Sequence, residues 1–145
     1  MRREKRQEIE EWQQTSVIYD QTEIQVTQLA SQWQLSEEEI QDLLESRRHA
    51  LQEHGRIEIG TGILPRLMEK FADSPYLDLN ESESTLAELQ ELFYWAKTDS
   101  LDRISDEDLL QVMKDLFDGS AGGSLDRLYR SLDMLCREIR GAEDD

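Results

Sequence analysis

The stretch GRIEIGTGILPRLMEKFADSPY, residues 55–76, decides how the chain folds. Four groups that punctuate a backbone crowd into it: Gly55, the Gly60-Thr61-Gly62 loop, Pro65 and Ser74-Pro75. Glycine reaches positive φ without steric cost, whereas proline fixes φ and removes a donor. Ile57 and Ile59 alternate with Arg56 and Glu58, which suits an extended piece too short to form a sheet alone. Pro65 falls where the first turn of a helix needs no N–H, and Leu64, Leu67, Met68 and Phe71 follow at helical spacing. Ser74-Pro75 then ends that helix, because the residue before a proline is pushed out of the α region.

Towards the N-terminus, Ser36-x-x-Glu39 forms a capping box that opens a helix reaching about His54. Its apolar positions Ile40, Leu43, Leu44 and Leu51 share one face, and Gly55 supplies the stop. Before it, Val26, Leu29, Ala30 and Trp33 recur at i, i+3, i+4 and i+7, with Thr22 or Asp20 available as a cap. Residues 3–14 carry only Ile9 and Trp12 as apolar anchors, which predicts a weakly docked helix or a frayed end.

Towards the C-terminus, Tyr76, Leu77 and Leu79 continue as a loop, and Ser82 or Ser84 opens the next helix. Leu86, Leu89, Leu92, Phe93 and Ala96 turn inward along it. Tyr94 and Trp95 spread its apolar surface nearly all round, which marks this helix as central. Ser105-x-x-Asp108 caps a helix bearing Leu109, Leu110, Val112, Met113, Leu116 and Phe117. Ser124 caps the last one, striped by Leu125, Leu128, Leu132, Leu135 and Ile139 and stopped at Gly141. The pattern predicts an all-α fold, an irregular bundle of about six helices with at most a very short extended segment near 56–59. Residues 1–145 form one domain in this reading, with 1–15 a peripheral helix or frayed terminus and 141–145 a disordered tail.

Composition narrows the function classes. Of 145 residues, 37% are hydrophobic and 34% charged, and the net charge is −17. Residues 1–54 hold 6 basic and 12 acidic side chains and residues 55–145 hold 10 and 21, so the acidity is spread and not gathered into a tail. Such a surface repels nucleic acid and anionic lipid and favours a basic partner. No apolar run approaches the roughly 18 residues of a membrane span. The basic start, Arg2, Arg3, Lys5 and Arg6, runs into Gln-Glu-Ile-Glu-Glu without an apolar core, so a secretory signal is not expected. The lone Cys136 cannot pair internally, which suits a reducing cytoplasm.

Five constellations could carry chemistry. Residues 27–44 have the apolar spacing of a helix-turn-helix, but the first turn of its recognition helix would offer Glu37, Glu38 and Glu39 to phosphates. Only Arg47 and Arg48 could offset that charge, so an αα-corner in the core is the expectation. The 118–129 loop offers Asp118, Ser120 and Asp126 at calcium-loop positions 1, 3 and 9. Gly122 and Tyr129 stand where positions 5 and 12 need oxygens, which leaves an interhelical turn. His49 and His54 are five apart and point away from each other on a helix; Cys136 sits beside an apolar stripe as a small buried hydrophobe. Gly60-Thr61-Gly62 ahead of a helix start could cradle an anion, although a Walker lysine is missing and Arg66 is the nearest cation. Tyr76, Tyr94 and Trp95 either complete a large core or leave a patch for a partner.

GRIEIGTGILPRLMEKFADSPY, TLAELQELFYWAK, ISDEDLLQVMKDLFDG and GSL together resemble a family of small, acidic, all-helical bacterial proteins without assigned function. The likeness covers about residues 47–139 and implies a cytoplasmic, single-domain protein; it carries no catalytic or binding residue. With no motif for catalysis, metal or cofactor, the expected role is a non-catalytic protein–protein interaction or regulatory module with a basic partner. The alternatives are a helix-turn-helix-derived regulator, or acidic competitor of a DNA-binding protein, and an enzyme of unfamiliar type. Arg56, Glu58, Arg66, Tyr76 and Trp95 are the expected partner-binding residues.

Overall fold

The computed structural model describes residues 21–144, with side chains to residue 141. The helix or frayed segment expected within 1–15, and Asp20 as a cap, lie outside the described residues. Six α-helices follow in order: α1 (Thr22–Leu29), α2 (Glu37–Glu53), α3 (Ile63–Phe71), α4 (Ser82–Asp99), α5 (Asp106–Asp118) and α6 (Leu125–Asp144). A single 3₁₀ turn, Leu79–Glu81, leads into α4. Among the described residues there is no strand or sheet, so the fold is the all-α bundle that the periodicity predicts.

Local chemistry sets the helix ends. Ser36 Oγ accepts from the Glu39 N–H at 3.1 Å while the Glu39 carboxylate accepts from the Ser36 N–H at 3.0 Å. Both orphan donors at the start of α2 are thereby satisfied. At its other end Gly55 takes φ 63°, the Arg56 N–H returns to the Leu51 carbonyl at 2.7 Å, and the Gly55 N–H returns to Gln52. This is a Schellman closure, and a β-carbon at that φ would be strained. Ser105 and Ser124 cap α5 and α6 through the N–H groups of Asp108 and Arg127.

Two boundaries differ from expectation, those at Thr22 and Gly141, and the end of α4 carries no sequence signal. Thr22 does not cap α1 but lies inside it, fully buried, with its hydroxyl turned to the α3 loop. No glycine closes α4; Leu101 and Asp102 both adopt left-handed φ, 59° and 57°, and the Asp102 N–H returns to Lys97. Gly141 does not stop α6, which runs on to Asp144 where a disordered tail was expected. Glycine in a helix costs only about 1 kcal/mol relative to alanine, and no proline follows to enforce the stop.

The helix α4 lies at the centre and packs on α2, α3, α5 and α6, while α1 rests on α3 and α2. Its inward residues Leu86, Leu89 and Phe93 join Leu43, Leu64, Leu67, Met68, Phe71, Met113, Phe117, Leu128 and Leu132 in one core. Each such side chain contributes roughly 1.5–3 kcal/mol by leaving water. Phe71 and Phe117 meet edge-to-face at 5.4 Å, and Trp33 anchors α1 by donating its indole N–H to the Met68 carbonyl at 3.1 Å. No helix is long and apolar enough to cross a membrane, among the described residues.

Candidate functional site

The 55–62 loop reaches α3 by an alternation that is the reverse of an ordinary amphipathic strand. Ile57 and Ile59 point outward, 89% and 71% exposed, while Arg56 and Glu58 turn towards the protein. Burial of a carboxylate demands partners, and Glu58 has them on every side. Arg47 Nε on α2 donates to its Oε1 at 2.8 Å. The Ile63 N–H, first in α3, donates to Oε2 at 3.0 Å, and the Tyr94 hydroxyl on α4 donates to the same oxygen. Burial and then the neighbouring Glu58 charge push the Tyr94 phenol far above its ordinary value, so it stays a donor.

This network answers the question posed by the Gly60-Thr61-Gly62 loop. One N–H at the start of α3, that of Ile63, does hold an anion, and that anion is the chain's own Glu58. The Gly62 N–H donates to Thr22 Oγ1 at 2.9 Å. A β-carbon on Gly62 would lie 2.5 Å from both Glu58 Oε1 and Thr22 Oγ1, so only glycine fits the close approach. Beside the network lies a cleft of about 90 Å³ lined by Arg56, Glu58, Tyr94, Lys97 and Asp106. Lys97 pairs with Asp106 at 2.9 Å and donates to the Ile104 carbonyl. This volume lies below the few hundred Å³ typical of a ligand site.

Of the five residues expected to bind a partner, Arg56 and Glu58 line one cleft with Asp106, and Arg66 approaches the same Asp106 at 3.9 Å. Arg56 reaches Asp102 at 2.7 Å and shares the small cleft with Glu58. Arg66 crosses from α3 to α5 and pairs with Glu107 at 3.0 Å. Tyr76, 48% exposed, packs instead against Phe117 and over Gly123. Trp95 is partly buried and stacks on Tyr129 of α6 with ring centroids 4.8 Å apart. Tyr94 belongs to the core.

The remaining constellations resolve in the same way. Arg47, needed by a DNA-reading helix, is buried against Glu58. Asp118, the first calcium-loop position, accepts from Ser74 Oγ and from Lys114. Cys136 Sγ sits 3.6 Å from the Ala96 carbonyl, and burial, then the Asp99 charge, pushes the thiol up to about 11. Both effects favour the protonated thiol over the nucleophilic thiolate. His49 lies exposed beside Glu45, whereas His54 meets Glu91 of α4 at 3.0 Å.

One surface feature carries no sequence motif. Between α4 and α6 runs an open groove of about 290 Å³, lined by Leu92, Leu125 and Tyr129 and bordered by Glu88, Glu91 and Asp126. Trp95, the one nominated residue near it, holds Tyr129 in place by stacking. The i, i+4 pair Leu125–Tyr129 was visible in sequence, but its role as a groove wall depends on which side of α6 faces α4.

The fold is thus an α4-centred helical bundle whose entry loop is locked by a buried carboxylate. The chain belongs to a family of unknown function, DUF6323, whose model matches residues 23–145. No curated protein and no solved structure matches the chain.

Proposed function

We propose that this protein is a non-catalytic interaction module that takes a basic, amphipathic segment of another protein into the α4–α6 groove. The observation that carries this reading is the groove's composition. Its walls are Leu92, Leu125 and Tyr129 and its border is Glu88, Glu91 and Asp126, the last paired with Arg130 at 3.0 Å; among the described residues no basic side chain lines it. An apolar anchor flanked by lysine or arginine complements that arrangement in both shape and charge. The net charge of −17 adds long-range attraction for the same partner and repulsion for nucleic acid. The non-catalytic part of the reading is supported by the Glu58 network, whose members satisfy one another beside a cleft smaller than a typical ligand site. A reducing cytoplasm suits the single buried thiol of Cys136.

The test is fluorescence anisotropy with a labelled amphipathic helical peptide carrying leucine anchors among lysines, set against a glutamate-for-lysine twin. The lysine peptide should bind, weakening with salt, and Tyr129→Ser combined with Asp126→Asn should reduce its affinity at least tenfold. Neutralising Glu37, Glu38 and Glu39, which do not line the groove, should leave most of it. Equal losses from both variants would mean diffuse charge attraction and would end the groove assignment.

A further inference from the structure

We infer that Glu53, His54 and Glu91 form a surface binding site for one zinc-class divalent cation, where the C-terminal end of α2 meets the middle of α4. The side chains offer one imidazole nitrogen and two carboxylate oxygens, all within 4.8 Å of one another. His54 Nε2 and Glu91 Oε1 already stand 3.0 Å apart, close to the ligand–ligand spacing that metal bonds of about 2.0–2.2 Å produce. Glu53 is exposed, so rotation of its side chain closes the remaining distance without moving the backbone. His54 caps the C-terminal end of α2 and Glu91 lies 37 residues on, in the central helix of the bundle, so the ligands are held where two packed elements meet.

A helix–helix tie between His54 and Glu91 alone does not account for Glu53. The electrostatics of this corner run one way. Two carboxylates converge at the negative end of the α2 dipole, and the last turn of α2 carries no basic residue. Arg56, the nearest cation in sequence, turns its guanidinium to Thr98 and Asp102. Among the described residues, His54 is the only group of potential positive charge paired with either carboxylate. A divalent ion neutralises the corner and takes the imidazole as a ligand. Imidazole among the donors selects zinc-like ions over magnesium and calcium, which prefer all-oxygen shells. Three protein ligands leave a coordination position for water or for a side chain of a partner.

The test uses the full-length chain and Zn²⁺ alone, in competition with a chromophoric chelator. One equivalent should bind, a large excess of Mg²⁺ should not displace it, and His54→Ala should weaken it at least tenfold. Glu53→Gln, a change on an exposed side chain that leaves the fold intact, should weaken it severalfold. His49→Ala, which removes a histidine beside a single carboxylate, should change nothing. Zinc affinity unaltered in both His54→Ala and Glu53→Gln, or several weak equivalents insensitive to them, would mean an adventitious ion only and overturn the assignment. The outcome is separable from the groove proposal: Tyr129→Ser should leave zinc binding intact, and Glu53→Gln should leave peptide binding intact.

Discussion

Arg47 and Glu58 face each other at 2.8 Å with side chains only 8% and 13% exposed, and this contact ties the 55–62 loop to α2. Removing Glu58 takes a carboxylate partner from Arg47 and a shared acceptor from the Ile63 N–H and the Tyr94 hydroxyl in a poorly hydrated place. Glu58→Ala should therefore destabilise the fold by about 3–5 kcal/mol in urea denaturation. Tyr94→Phe, which deletes one donor and leaves the charges paired, should cost about 1–2 kcal/mol. A loss below about 1 kcal/mol for Glu58→Ala would show that water, not Arg47 and Tyr94, solvates the carboxylate.

Glycine-to-alanine changes should have opposite signs at two positions. At Gly62 the new methyl would sit 2.5 Å from Glu58 Oε1 and Thr22 Oγ1, so the network must shift, at about 1–3 kcal/mol. At Gly141, inside α6, nothing lies within 4 Å of the added carbon. Alanine there should stabilise by up to about 1 kcal/mol through helix propensity alone. Thermal melts of the two variants read both signs directly.

What was legible in the sequence depended on local chemistry. The Ser36–Glu39 box and the Gly55 stop need only residues within one turn of each other, and both formed where the pattern put them. The inward turn of Glu58 was not legible. Its partners, Arg47 and Tyr94, lie 11 and 36 residues away, and nothing nearby distinguishes it from the chain's other carboxylates. Ile57 and Ile59 carry the matching deception, since their alternation suggests an inner face and the structure gives that face to Arg56 and Glu58. The end of α4 was obscure because a non-glycine pair, Leu101 and Asp102, performs the turn usually marked by glycine. Arg56, Glu58 and Arg66 gather around Asp106, whereas Tyr76 and Trp95 pack on Phe117 and Tyr129, because proximity in sequence says nothing about the side of a helix.

Gln90 on α4 is fully buried, and among the described residues neither its amide nitrogen nor its oxygen finds a hydrogen-bond partner. An orphaned amide in the interior costs roughly 1–3 kcal/mol. Gln90→Leu, similar in volume and without polar atoms, should raise the urea midpoint by an equivalent of about 1 kcal/mol or more. A destabilised Gln90→Leu would reveal an ordered water bridging the amide.

Glu83, in the first turn of α4, is held above the ordinary carboxylate range by burial first, then by Asp42, Glu39 and Glu38 across the helix pair. The sign follows from that direction. A carboxyl with a raised pKa in the folded state is protonated in both states at low pH and causes no loss there. As pH rises through the folded value, the native protein must ionise it among like charges, and stability falls. Glu83→Gln should thus stabilise at about pH 7 and confer nothing at about pH 3.5, where the native residue is already neutral. The positive end of α4 favours the carboxylate and keeps the gain small, about 0.5 kcal/mol. Added salt should shrink it further, since exposed charges are screened within about 10 Å at 0.1 M. Urea titrations of both proteins at the two pH values decide the matter, and a gain that persists undiminished at low pH would assign the effect to packing instead of charge.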